Sequence, residues 1–332
     1  MSASRFNETI EDQSLLILIP VFNDWKSLEL LLLQLEQVLQ ERNIPTDVLI
    51  VDDASSMSVD KHFIPSKFKA INRIDILELK RNLGHQRAIA IGLSYVEANR
   101  NCKAIIVMDG DGEDAPIDVL KLIDKCAIED YEKVIFARRS QRSESQFFKL
   151  FYITYKWLYK LLTGHEIRVG NFSIIPRKAL QRLVVVSEIW NHYAAGVLKA
   201  KIPYTEVPCK RSTRLHGKSK MNFVLLVNHG LSAISVYGDI VGIRLLVSSC
   251  LLILLALISI IAVLAIKLTT SLAIPGWTSY VVTLFFIVLM QAFMLSLAFI
   301  FIVLTARNNM NFIPQRDYHY FILKVQHDFS KL

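Results

Sequence analysis

The chain has 332 residues, 52% of them hydrophobic and 20% charged, with 38 Lys and Arg against 30 Asp and Glu for a formal net charge of +8. Disorder is excluded, because it needs low hydrophobicity and high charge. A wholly soluble protein is disfavoured, because mean hydropathy is positive while the first half of the chain is ordinarily charged. The excess sits near the C-terminus, where no charged residue occurs from Leu245 to Ile266 or from Leu268 to Ala306.

A membrane-spanning helix needs about 20 apolar residues. The two stretches predict one helix over 242–266 and a second over 280–306, joined by a loop, 267–279, that contains Ala273-Ile274-Pro275-Gly276-Trp277. Arg244 precedes the first, while Arg307, Arg316 and Lys324 follow the second. Because basic residues stay on the cytoplasmic side, the domain before the helices and the tail 307–332 are expected in the cytoplasm of an inner-membrane protein. Met1 to Ser14 has no basic, then apolar, leader, so no secretory signal is expected there. Cys102, Cys126, Cys209 and Cys250 form no C-x-x-C pair, which fits a reducing compartment. The positive balance suits anionic lipid headgroups beside membrane helices, and no nucleic-acid partner is expected.

In chain order, Ser14 to Val21 is an apolar run interrupted by Pro20, the mark of a buried strand. Leu28 to Leu39 repeats leucine at helical spacing. Strands are predicted at Val48–Val51, Ile74–Leu79, Ala104–Met108 and Lys133–Ala137, with helices at Gln86–Asn99 and Pro116–Ile128. Short apolar strands alternating with helices predict an α/β, doubly wound and mostly parallel sheet. Such sheets bind ligands beyond the carboxyl ends of their strands. Residues 147–163 interleave Phe148, Tyr152, Tyr155 and Trp157 with Lys149, Lys156 and Lys160. That composition suits an interfacial helix on a membrane, or a core helix with a solvated lysine face. A juxtamembrane helix is expected over 221–241.

Asp109-Gly110-Asp111-Gly112-Glu113-Asp114 follows a predicted strand. Carboxylates this close repel unless a cation joins them, and alternate ones can converge on Mg²⁺ or Mn²⁺. An acidic turn that caps the helix at Pro116 reads equally well. Asp52 and Asp53 end another strand, where a carboxylate can accept hydrogen bonds from a ribose or cap a helix. Arg81, Gly84, His85 and Arg87 follow a third strand and Arg138-Arg139 a fourth, so cations face the acidic cluster as a diphosphate would require. Arg214-Leu215-His216-Gly217-Lys218-Ser219-Lys220 is basic and flexible. It suits a phosphate, on a lipid given its place before the apolar helices, or simply positive flanking charge.

Together these motifs resemble family-2 glycosyltransferases acting on polyprenyl phosphates, the branch of dolichol-phosphate mannosyltransferase and of undecaprenyl-phosphate glucosyltransferases of the GtrB type. The matching segments are Pro20-Val21-Phe22-Asn23-Asp24, Val51-Asp52-Asp53, Arg81-Asn82-Leu83-Gly84-His85-Gln86, Met108 to Pro116, Arg214 to Lys220 and Pro275-Gly276-Trp277. The resemblance implies a GT-A domain over 1–220 that moves a sugar, with inversion, from a nucleotide sugar (UDP-linked, for instance UDP-glucose) to undecaprenyl phosphate, for a cell-envelope polysaccharide. It implies donor binding by Pro20, Asn23, Asp52, Asp53, Arg81, Gly84, His85, Gln86, Asp109 and Arg138. A Mg²⁺ or Mn²⁺ would be held by Asp109, Asp111 and Glu113, and the lipid phosphate by Arg214, Gly217, Ser219 and Lys220. Asp109, Asp111 and Asn171 are the implied catalytic residues. A homo-oligomer, a flippase and a downstream glycosyltransferase are the candidate partners.

Three departures stand out. The family's Gly-Asp-Phe-Arg is Gly170-Asn171-Phe172-Ser173, a Glu in the basic motif is Lys218, and a basic residue near Trp190 to Gly196 is not evident. With the acidic cluster intact, they read as the signature of a substrate branch. A polysaccharide acceptor is the alternative, though the Gln-x-x-Arg-Trp of processive enzymes is missing at Ser187-Glu188-Ile189-Trp190. A non-catalytic membrane scaffold with the same fold is the other.

Overall fold

The structure is a computed structural model that describes residues 14–57, 68–139, 146–166, 169–217, 223–270, 276–308 and 312–327. It divides into two compact units, Met1–Leu150 with Ile167–Val236 and Asn311–Leu332, and Phe151–Glu166 with Tyr237–Met310.

The first unit is built on one eight-stranded sheet. Its strands are β1 (Leu15–Val21), β2 (Thr46–Asp52), β3 (Ile71–Leu79), β4 (Ala104–Val107), β5 (Val134–Arg139), β6 (Ser173–Pro176), β7 (Tyr204–Cys209) and β8 (Ile322–Gln326), in the order β7-β5-β6-β4-β1-β2-β3-β8. All seven residues of β1 are buried, since β1 sits centrally and parallel to both β2 and β4. A strand covered on both faces must be apolar throughout. Its side chains alternate: Leu16 and Leu18 join the core beneath α2 (His85–Asn99), while Ile17 and Ile19 join the core beneath α1 (Trp25–Glu41) and α3 (Pro116–Ile128). Leu28, Leu31, Leu32, Leu35 and Leu39 are the buried stripe of α1, the helical spacing read from the sequence.

This is the doubly wound, mostly parallel sheet that was expected, with two antiparallel insertions. β6 runs against both β4 and β5. β8 comes from beyond the apolar helices and runs against β3, with Leu77 opposite Val325. The tail 307–332 was expected only as a cytoplasmic extension, yet its segment β8 covers the sheet edge. β8 escaped the sequence reading because it is short and only half buried. Edge strands lack the apolar run that marks central ones.

In the second unit, α8 (Gly238–Thr269) and α9 (Trp277–Asn308) are each 32 residues long, about 48 Å of helix. Both are apolar enough to cross a membrane, and only 11% of the most apolar stretch of each is buried, which separates them from core helices and fits contact with lipid. They pack as a hairpin. Gly242, Ser249, Ala256 and Val263 are buried every seventh residue along α8, and the Ser296 hydroxyl of α9 donates to that of Ser249 at 2.7 Å. Small residues at such a seam allow close helix approach. The predicted spans 242–266 and 280–306 lie inside these helices, and the expected juxtamembrane helix is broken into α7 (Phe223–Ser235), which belongs to the first unit, and the start of α8. The aromatic segment forms α4 (Gln146–Thr163), whose Ile153, Trp157 and Leu161 form an exposed apolar stripe while Tyr159 is buried.

Candidate active site

The carboxyl ends of β1, β2 and β4 meet at one edge of the first unit. Asn23, at φ 51° just beyond β1, donates its backbone N–H to Ser55 Oγ (2.9 Å), and its side-chain oxygen accepts from Met57 N (3.1 Å). Asp52 Oδ1 accepts from Ser55 N (2.9 Å). Asn23 therefore ties the two loops together and Asp52 fastens the second, while Pro20 sits in β1 opposite Val51. Both Asp52 and Asp53 are buried, and burial pushes their carboxyls above the usual range against the hydrogen bonds they accept. Asp53 takes Leu83 N at 2.7 Å and Gly84 N at 2.8 Å. It is thus the fastener of the turn that starts α2, where Gly84 stands at φ 91° and supplies a conformation other residues rarely adopt.

That turn presents His85 to the acidic loop. His85 Nε2 lies 3.0 Å from Asp109 Oδ1 and 3.0 Å from Asn171 Nδ2. One Nε2 cannot donate to Asp109 and accept from Asn171 at once, so this imidazole has two hydrogen-bonding states. Burial opposes its charged form, but Asp109, then Asp114 and Asp111, outweigh it and raise the His85 pKa. Gln86 donates to Asn171 Oδ1 (3.1 Å) and accepts from Tyr193 N (2.7 Å), so the Asn171 amide is gripped from both ends.

A strap after β7 closes over the acidic loop. Ser212 N donates to Glu113 O (2.9 Å) and Leu215 N to Asp111 O (3.0 Å). Arg214 Nη1 donates to Asp111 Oδ2 at 3.0 Å and its Nη2 pairs with Asp24, while Arg211 Nε donates to Glu113 Oε2 at 2.8 Å. Gly112, at φ 81°, lies directly under Leu215. Sequence reading separated the acidic and basic motifs, and the structure brings them together. The Glu113 carboxylate pairs with Arg211 as the Asp111 carboxylate pairs with Arg214, and among the described residues no group of three His, Cys, Asp or Glu side chains is placed to hold a metal. Burial, then the Asp109 charge, raises the Asp111 carboxyl, a repulsion that a divalent cation relieves. The donor set thus fits a hard ion on two carboxylates.

Of the other expected residues, Arg81 is exposed, Arg138 faces Glu206 at 3.7 Å, and Gly217 is exposed at φ 71°. Ser219 and Lys220 lie outside the described residues. Asp24, Arg211, His192 and Tyr193 were not singled out. Asp24 closes the Pro20–Asp24 segment and could have been found there, whereas nothing in spacing links the other three to the site.

Residues 16–190, just over half of the chain, match the model of glycosyl transferase family 2. An uncharacterized glycosyltransferase of Synechocystis sp. is 31% identical, covering 66% of this chain and 67% of its own. The uncharacterized glycosyltransferase YkcC of Bacillus subtilis is 29% identical, covering 80% and 81%. The undecaprenyl-phosphate 4-deoxy-4-formamido-L-arabinose transferase of Salmonella choleraesuis is 26% identical over 64% of each chain. The chain therefore belongs to glycosyl transferase family 2 and is a glycosyltransferase.

Proposed function

We propose that this enzyme transfers a sugar, with inversion, from a nucleotide sugar, expected to be UDP-linked, to undecaprenyl phosphate at the cytoplasmic face of the membrane. The observation that carries this reading is the meeting of Arg214 with Asp111 at one sheet edge. Donor and acceptor of this reaction are both anionic, and a site for both needs carboxylates that recruit a cation next to guanidinium groups that receive phosphate. The similarity to an undecaprenyl-phosphate sugar transferase supports the acceptor class. The uncharged stretches of α8 and α9, bounded by Arg244 and Arg307, support a membrane lipid reached from the cytoplasm.

In this reading Asp52 and Asn23 shape the nucleoside end of the donor site, and Arg138 balances charge there. Asp109 and Asp111 would hold Mg²⁺ or Mn²⁺, whose charge would offset that of the departing nucleoside diphosphate. Arg214 releases Asp111 and receives the lipid phosphate. One acceptor oxygen bonds to the anomeric carbon as the bond from that carbon to the diphosphate breaks. The acceptor is a phosphate monoester whose second ionisation lies near pH 6, so it arrives without a proton to remove. This accounts for Asn171, which takes no proton and serves by orienting His85 and Gln86.

The test is turnover of the detergent-purified chain with undecaprenyl phosphate, Mn²⁺ and a panel of UDP- and GDP-sugars, read as lipid-linked product by mass spectrometry. Product with one donor, lost in Asp111→Ala, is expected. Product on a polysaccharide primer alone would overturn the lipid acceptor, and nucleotide binding without product from any donor would favour a scaffold.

A further inference from the structure

Trp190 ends the short helical turn Ser187–Trp190, where the processive motif is missing. The structure turns its ring toward the segment that follows the apolar helices. Phe312 lies against it with ring centroids 3.9 Å apart and Phe321 at 5.2 Å, and these two rings meet edge to face at 5.5 Å. The Arg87 guanidinium of α2 stands over the same indole, 5.2 Å from its centroid, where a cation is attracted to the ring face. All four residues are half-buried. Trp190 is thus boxed between the third residue of α2 and two rings from beyond α9.

The same segment holds the chain on the other side of the β3–α2 turn. The backbone N–H of Lys80 donates to Phe321 O at 2.8 Å, and its Nζ donates to Tyr320 O at 2.9 Å. Glu78, opposite Asp52 in the parallel pair of β2 and β3, accepts from Gln326 Nε2 at 2.6 Å and pairs with Lys324 at 3.2 Å. Residues just before the turn and just after it are therefore gripped by one stretch of chain. Between them stand Arg81, Gly84, His85 and Gln86, all expected in the donor site. Covering the sheet edge needs only the β3–β8 ladder, which ends with Leu79 opposite Ile322. The contacts of Phe312 and Phe321 with Trp190 lie beyond it.

We infer that the segment Phe312–Gln326 positions the β3–α2 turn for donor binding, with Phe321 and Trp190 as the positioning residues. The inference rests on the nucleotide-sugar reading above and deepens it, by making a stretch of chain beyond the apolar helices a support of the donor site. The route from Trp190 to the site is short. The chain runs from it into α6 (Tyr193–Lys199), where His192 caps the helix by accepting the Ala195 N–H at 3.3 Å. The Tyr193 N–H donates to Gln86 at 2.7 Å, Gln86 donates to Asn171 at 3.1 Å, and Asn171 lies 3.0 Å from His85. A displaced Trp190 therefore disturbs the turn twice, through Arg87 and through the N–H that fixes Gln86. A turn held in place before the nucleotide arrives loses less freedom on binding, so donor affinity depends on what holds it.

The experiment is calorimetric titration of the full detergent-solubilised chain with UDP and with GDP, each with Mn²⁺, for wild type, Phe321→Ala, Phe321→Tyr and Phe312→Ala. It is run well below the Tm of each protein, so that the folded fraction is close to one and a change in affinity belongs to the folded site. Both alanine variants are expected to bind the nucleotide about tenfold more weakly at unchanged stoichiometry. Phe321→Tyr keeps a ring on Trp190 and should bind within about twofold of wild type. Phe312→Ala removes the other ring and leaves the Lys80 contacts in place, so it carries the test if Phe321→Ala does not fold. A role in folding alone lowers Tm and leaves the affinity of the folded protein as it was. Wild-type affinity in the alanine variants would therefore overturn the inference and leave the nucleotide-sugar reading standing. A loss in Phe321→Tyr as large as that in Phe321→Ala would also overturn it, since the ring on Trp190 would not be what matters. Binding of neither nucleotide by wild type would overturn both readings.

Discussion

Arg214 Nη1 donates to Asp111 Oδ2 at 3.0 Å, so the first residue of the Arg214–Lys220 motif rests on the second carboxylate of the acidic loop. The same guanidinium pairs with Asp24 beyond β1. It therefore stands on a carboxylate that a divalent cation would claim. Cation and guanidinium compete for Asp111, and each loaded state of the site should differ in which one holds it.

Arg214→Ala is accordingly expected to tighten Mn²⁺ binding about threefold in the absence of donor, by removing a competitor worth under about 1 kcal/mol at a partly exposed pair. It should at the same time raise the acceptor KM by about tenfold or more, through loss of a charge-assisted contact. Metal titration and acceptor kinetics measured on one preparation separate the two effects. A weaker Mn²⁺ affinity would show that Arg214 organises the carboxylates instead of competing for them.

Gly112→Ala tests the strap from the other side. At φ 81° an alanine is strained, and its Cβ would overlap the Leu215 side chain. The expected cost is about 1–3 kcal/mol, read as a lower Tm together with reduced turnover. Leu215→Ala in the same chain opens the space but leaves the backbone strain, so partial recovery is expected, with coupling of about 0.5–2 kcal/mol between the two sites.

Asp53→Asn keeps the shape of the side chain but leaves one acceptor oxygen for the two N–H groups of Leu83 and Gly84. A loss of about 1–3 kcal/mol is expected. Because the same turn carries His85, kcat should fall with the stability. A variant with normal Tm and abolished nucleotide binding would instead assign Asp53 to the donor directly.

The His192 imidazole has its pKa lowered from 6.5 to about 3. The folded state then binds fewer protons than the unfolded one below pH 6.5, so the stabilisation is complete above that pH and is lost as pH falls toward 3. At pH 5 the loss approaches about 2 kcal/mol. His192→Asn can still cap α6 but does not titrate, and its Tm should fall less between pH 7 and pH 5 than that of wild type. Parallel Tm curves for the two proteins would show that His192 contributes nothing to the acid sensitivity.

The legible parts of this chain are those whose signal is local. The leucine stripe of α1, the apolar run of β1 and the uncharged stretches of α8 and α9 each declare themselves within a few turns, since periodicity and length alone dictate how such segments bury or expose their side chains. The strand-end motifs were legible for the same reason, and Asp109 and His85 do meet at 3.0 Å. β8 was not, since an edge strand of five residues, none of them buried, has no pattern that distinguishes it from a tail.

The sequence by itself determined that a doubly wound sheet would precede two long apolar helices, and that acidic and basic groups would gather at strand ends, because hydrophobic period and turn chemistry act over neighbours in the chain. Only the tertiary structure decided which charges pair. Arg214 and Asp111 are 103 residues apart, and His192 and His229 meet across two elements. Coulomb and hydrogen-bond energies depend on separation in space and on burial, and neither quantity exists until the sheet, the strap and α7 have packed.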